Sequence, residues 1–199
     1  AFLQRGCRFF LPDACIPLYP AVHYRENIEP TGVIPLMRTV IYPGSFDPVT
    51  NGHLDVARRA ARIFDRIVIA VACNSEKNPL FSFEERKALL SETCKDIPNK
   101  EVVMFNGLLV DAVPRFDACA VIRGIRAVSD FEYEFQMALM NRELSARCET
   151  LFMMPSPEYS YVSSRLIKEI AMCGGDISMF VPPAVADAIY VKYHVNRKN

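Results

Sequence analysis

The sequence predicts an α/β protein: an open parallel five-stranded sheet with helices on both faces. Three observations predict it. Short apolar runs with strand character alternate with helical segments along most of the chain, and strands separated by helices imply right-handed crossovers between parallel strands. A length of 199 residues with 51% hydrophobic side chains is enough for one domain with a sizeable core. Glycine-bearing and basic segments follow the strands, at the end of a parallel sheet where ligands bind.

Each element has its own justification. Residues 1–36 carry frequent prolines and no sustained period, and they end before Met37, which stands like a start residue. They read as a vector-derived or upstream-extended leader outside the core; Asp13, Glu26 and Glu29 argue against a targeting peptide. Residues 37–199 are then the domain. Thr39 to Tyr42, "TVIY", reads as a buried strand, and Asn51 to Phe64 as an amphipathic helix with Leu54, Ala57, Ala61 and Phe64 on one face. "RIVIAVAC" is a second strand. Ser82 with Glu85 forms a capping box that opens a helix through Thr93, and Glu101 to Phe105 is a third strand. A short helix follows, broken by Pro114 after about one and a half turns. Ala120 to Arg123 is a fourth strand, Asp130 to Leu144 a helix, "TLFMMP" a fifth strand, and Ser163 to Cys173 a helix closed by Gly174. A last helix runs from Pro182 to Tyr193. Neither an internal repeat nor a low-complexity tract interrupts this Rossmann-like succession.

Bulk properties exclude several function classes. Lysine plus arginine equals aspartate plus glutamate at 23 each, so no global field draws the chain onto nucleic acid or an anionic membrane. No apolar run approaches the roughly 18 residues of a membrane span. Seven cysteines without a C-x-x-C pair fit reduced thiols of a cytoplasmic protein, read here as small buried hydrophobes, better than a disulfide or zinc framework. No His/Asp/Glu cluster suggests a metal cage.

The chemistry gathers after the strands. In "YPGSFDPVTNGH", Tyr42 to His53, Gly44 permits a tight turn or a close approach, Ser45 offers a hydroxyl, and His53 stands at a helix N-terminus whose free amides attract anions. The same residues also fit a plain strand-to-helix connection, with Asn51 or Thr50 as N-cap and His53 merely exposed. Lys77 follows strand two, Arg123 and Arg126 follow strand four, and Ser160, Ser163, Ser164 and Arg165 follow strand five. Unpaired cations brought together at one rim repel unless an anion joins them, which points to a polyphosphate.

Three segments, "YPGSFDPVTNGH", "IRGIRAVSDFEYE" and "YSYVSSRLIKE", in this order and spacing, resemble the bacterial phosphopantetheine adenylyltransferases from Met37 to the last helix. The T-x-G-H ending of the first marks the wider nucleotidyltransferase superfamily, and the second is the discriminating one. The resemblance implies adenylyl transfer from ATP to 4'-phosphopantetheine, giving dephospho-coenzyme A and pyrophosphate by direct attack, with Mg2+ held mainly by substrate phosphates. It implies catalytic roles for Ser45, His53, Lys77 and Arg126, and acceptor binding by Ser45, Lys77, Leu109 and Arg123. For ATP it implies Ser45, Phe46, His53, Gly124, Ile125, Arg126, Glu134 and the run Tyr159, Ser160, Tyr161, Val162, Ser163, Ser164 and Arg165. It also implies a homohexamer, with coenzyme A as a candidate inhibitor.

The chain departs from that family's usual pattern at Ser45, where threonine is common, at Asn78, where a second lysine often stands, at Pro114, and in residues 1–36. None of these removes a reacting group. The rival readings are another nucleotidylyltransferase on the same scaffold, such as one for nicotinate mononucleotide; a hydrolase with Ser45 as nucleophile and His53 as base, although no G-x-S-x-G elbow is present; and a nucleotide-binding module without turnover.

Overall fold

The computed structural model describes residues 37–72 and 79–195. The expectations for residues 1–36, Lys77 and Asn78 lie outside the described residues. The chain alternates strands and helices in the order β1 (Thr39–Gly44), α1 (Asn51–Ile63), β2 (Arg66–Ala72), α2 (Phe83–Thr93), β3 (Lys100–Phe105), α3 (Leu109–Arg115), β4 (Ala118–Gly124), α4 (Val128–Leu144), β5 (Thr150–Met153), α5 (Ser164–Met172) and α6 (Pro183–Tyr193). The five strands are parallel and lie in the order β3-β2-β1-β4-β5. The chain therefore winds outward from β1 to β3, then returns to place β4 on β1's other side. This reversal leaves a crevice beyond the carboxyl ends of β1 and β4, where α1 and α4 depart in different directions.

Period-two alternation splits the core between two faces. Val40, Tyr42, Ile67, Ile69 and Ile122 pack with Leu54 and Ala57 of α1, Leu90 of α2, Ile167 of α5 and Ile189 of α6. Ile41, Val68, Ala70 and Val121 turn the other way, onto Ala112 and Val113 of α3. Along α4, Phe131, Phe135, Leu139 and Leu144 remain exposed.

The caps settle the helix starts. Thr50, not Asn51, caps α1, and Ser82 with Glu85 forms the expected box on α2. Ser163 lies just outside α5, as its cap. Pro114 sits inside α3, which ends one residue later at Arg115. A 3-10 turn at Pro157–Tyr159 has no counterpart in the sequence reading. Cys94 and Cys148 are buried as expected, whereas Cys119 and Cys173 are exposed, which corrects the reading of all cysteines as core. Among the described residues, no helix is long and apolar enough to cross a membrane.

Candidate active site

The loop after β1 is built by close packing. A Cβ on Gly44 would meet the Phe46 ring at 2.9 Å, so the glycine makes room for a side chain of its own loop rather than for a ligand. Phe46 adopts a left-handed backbone (φ 48°) and sets its ring edge-on to Tyr42 and His53. The buried Asp47 carboxylate accepts from the Leu80 amide at 3.0 Å, the Phe81 amide at 2.9 Å and Lys168 Nζ at 2.8 Å. Arg86 of α2, 5% exposed, donates from one terminal nitrogen to the Ser45 carbonyl at 2.9 Å and the Ala72 carbonyl at 3.4 Å. It ties the ends of β1 and β2 together. The Ser45 hydroxyl itself has no partner among the described residues, and Ser45 lines a cavity.

His53 combines the two readings the sequence left open. It is the third residue of α1, and its amide donates to Thr50 Oγ1 at 3.3 Å while its Nδ1 accepts from the Thr50 amide at 3.0 Å. Histidine thus takes the part that glutamate usually plays in a capping box. With Nδ1 as acceptor, the neutral ring carries its proton on Nε2. Burial, then the positive charges of Arg126 and Arg123, push its pKa down to about 4. His53 in the free protein is a neutral donor with a fixed orientation.

The cations on the opposite side are paired, which corrects the expectation of unpaired charges. Arg123 donates through Nε to Glu134 at 2.7 Å, through one terminal nitrogen to the other Glu134 oxygen at 2.5 Å, and through the second to the Pro43 carbonyl at 2.8 Å. Arg126 grips Asp130 one turn along α4, with Nε 2.9 Å from Oδ2, and donates to the Val162 carbonyl at 3.0 Å. Arg165 pairs with Glu169.

These groups surround a cavity of about 470 Å³ at the ends of β1 and β4. Of the expected ATP residues, Ser45, Phe46, His53, Gly124, Arg126, Glu134, Tyr159, Val162, Ser163, Ser164 and Arg165 line it. Ile125, Ser160 and Tyr161 do not: the Ile125 amide donates to the Met153 carbonyl, the Ser160 hydroxyl to the Pro157 carbonyl, and the Tyr161 ring lies edge-on to Phe180. A second cavity of about 260 Å³ adjoins it, lined by Leu109, Met137 and Asn141 among others. Pro43, Arg123, Tyr133 and Glu134 wall both.

Residues 41–170 match the cytidylyltransferase-like family model. Curated relatives called phosphopantetheine adenylyltransferase are 55% identical over 157 residues in Caldanaerobacter subterraneus subsp. tengcongensis, covering 79% of this chain and 98% of that protein. The relative from Hahella chejuensis is 52% identical over 161 residues, covering 81% and 100%. The chain belongs to the phosphopantetheine adenylyltransferase family. Solved structures share its fold: a Vibrio parahaemolyticus protein described as a nicotinate-nucleotide adenylyltransferase superposes with a TM-score of 0.60 at 17% identity, covering 81% of this chain and 98% of that one. The Plasmodium falciparum nicotinic acid mononucleotide adenylyltransferase complexed with NaAD gives 0.59 at 15% identity, covering 82% and 100%.

Within this nucleotidyltransferase fold, two supporting residues escaped the sequence reading. Asp47 lies in the quoted loop but carried no assignment. Arg86 reads as one more charge in "FEERK"; its single signal is its spacing, one turn before Leu90, with which it shares the buried face of α2.

Proposed function

We propose that this chain transfers the adenylyl group of ATP to 4'-phosphopantetheine, with ATP in the larger cavity and the pantetheine arm in the smaller. A phosphate oxygen of the acceptor attacks the α-phosphorus of ATP; the bond from that phosphorus to the bridging oxygen breaks, and pyrophosphate leaves with its electron pair. The protein then needs no covalent nucleophile, and its work is positioning and charge stabilisation. The observation that carries the reading is the shared wall: two cavities of unequal character meet at one arginine, Arg123, with the His53 donor on the larger one. A two-substrate phosphate reaction needs that layout.

In this reading the Nε2–H of His53 donates to the charge that develops on the α-phosphate, and Ser45 donates to the reacting phosphates. Arg123 and Lys77 hold the acceptor phosphate, Leu109 lies along its arm, and Arg126 with the start of α5 binds ATP. Magnesium is the implied cofactor. Asp130 and Glu134, the carboxylates lining the larger cavity, each grip an arginine, and the described residues hold no group of three or more His, Cys, Asp or Glu that could bind a metal. That donor set fits an ion carried on substrate phosphates, where it supplies charge neutralisation. The exposed apolar side chains of α4 support self-association, and a hexamer in a cytoplasmic setting is the proposed state, to be read by light scattering.

One assay tests the function. Pyrophosphate release should depend on ATP together with 4'-phosphopantetheine; release with nicotinate mononucleotide instead would move the chain to a different acceptor on the same scaffold.

A further inference from the structure

Tyr42 is a large, buried polar side chain of the larger cavity's wall that no role above uses. It stands next to last in the buried run of β1 and is 3% exposed. Its hydroxyl makes no hydrogen bond with any described residue. Buried tyrosine hydroxyls ordinarily find a partner, because an unmet one forfeits its hydration. Nor is this hydroxyl sealed in the core: Tyr42 lines the cavity, and the fully enclosed unpaired side-chain atoms among the described residues are Asn99 Oδ1 and Thr150 Oγ1. The oxygen sits beside Gly124 at the end of β4, 3.7 Å from where a Cβ on that glycine would stand. Burial pushes the phenol's pKa up, so it stays protonated and can donate. Arg123 and Arg126 are near enough to act on it electrostatically.

We infer that the Tyr42 hydroxyl is a binding group for the adenylyl part of ATP, donating a hydrogen bond to a ribose hydroxyl or an α-phosphate oxygen. This rests on the reading of the larger cavity as the ATP site. A phenylalanine would fill the same space without a polar atom to desolvate, so packing alone gives no reason for the oxygen. Its place on a central strand, fixed by the edge-on Phe46 ring at 5.5 Å, makes it a donor that needs no rearrangement to act.

Tyr42→Phe removes the oxygen and nothing else. The test measures ATP affinity by calorimetry on the full chain without acceptor, together with the melting temperature. ATP should bind about tenfold more weakly to the variant, in line with one lost hydrogen bond to a polar or charged oxygen. The melting temperature should hold or rise, since no protein hydrogen bond is lost. Repeating the titration with 2'-deoxy-ATP and 3'-deoxy-ATP identifies the acceptor atom: a penalty that vanishes with one analogue assigns that ribose hydroxyl, and a penalty equal for all three nucleotides assigns the α-phosphate. Unchanged ATP affinity in Tyr42→Phe would overturn the inference, as would a fall in melting temperature with affinity intact, the mark of a structural tyrosine. A wild-type chain that binds ATP yet releases no pyrophosphate with 4'-phosphopantetheine would instead sink the acceptor reading and leave the Tyr42 result standing.

Discussion

On the β1–α1 side of the larger cavity the imidazole is held by a neutral backbone amide, and on the β4–α4 side the arginines are held by carboxylates. His53 is fixed by the Thr50 amide, and the Ser45 carbonyl by Arg86. Arg123 and Arg126 are fixed by Glu134 and Asp130. An arriving phosphate competes less with an amide–imidazole bond than it does with a carboxylate for an arginine. The first side is therefore preorganised, able to act on a transition state without rearrangement. The second is exchangeable, suited to taking up and releasing substrate anions.

The largest expected effect tests preorganisation. His53→Ala should lower kcat by about a hundredfold or more, the usual cost of one aimed transition-state donor, while leaving ATP affinity within a few-fold. kcat, the ATP dissociation constant and the melting temperature measured on one preparation decide it. Near-normal kcat in a folded variant would mean that His53 is only a cap.

Next in size is the support beneath Ser45. Arg86→Met leaves the Ser45 and Ala72 carbonyls without their buried donor, and one unmet buried group costs about 1–3 kcal/mol. A lower melting temperature should accompany a roughly tenfold loss of kcat, as the Ser45 loop shifts. Arg86→Lys, which keeps a donor, should recover part of both. If the melting temperature falls and kcat does not, Arg86 supports the fold without positioning the loop.

What the sequence made legible follows from local physics. Ser82 and Glu85 announce α2 because a capping box is a contact within four residues, and apolar runs announce β1 to β5 because burial needs a period. Sheet order is non-local, so the place of β1 between β2 and β4, which creates the crevice, had to come from the structure. The same divide runs through the site. Ser45, His53 and Arg126 could be found because each ends or follows a strand. Glu134 as the holder of Arg123, eleven positions away on another element, could not. Nor could the paired state of the arginines, which the charge count leaves open. Family resemblance supplied Glu134 as an ATP residue, but not the arginine it grips in the free protein.

The exchangeable side is tested by Arg123→Ala, whose expected effect is confined to acceptor binding. The KM for 4'-phosphopantetheine should rise about tenfold, since a charged phosphate contact is lost, while ATP affinity moves only a few-fold. Calorimetry with each substrate separately distinguishes the two. Impaired ATP binding with normal acceptor use would put Arg123 on the wrong cavity and remove the shared-wall argument.

The smallest expected effect is an absence of titration. His53 sits well below the ordinary histidine value of 6.5, near 4, because burial and two arginines disfavour its charged form. The sign follows from that depression. The folded state binds the proton less readily than the unfolded chain, so the stability associated with a neutral His53 is complete above about pH 6.5 and is lost as pH falls through about 4. Between pH 6 and 8 the ring should stay neutral in the free protein, and kcat should show no His53 step, because Nε2 carries its hydrogen in either form. Bound triphosphate draws the pKa upward against the cap, since Nδ1 must take a proton and give up the Thr50 amide. The His53 ring carbon signals, assigned by comparison with His53→Ala and followed by NMR from pH 3 to 8, read this directly. A midpoint near 4 in the free protein that rises when ATP is added supports the backbone-held, neutral donor. A midpoint near 6.5 in the free protein would mean that the imidazole is neither desolvated nor held through Nδ1, and the contrast between the two sides of the cavity would fail at its best-defined residue.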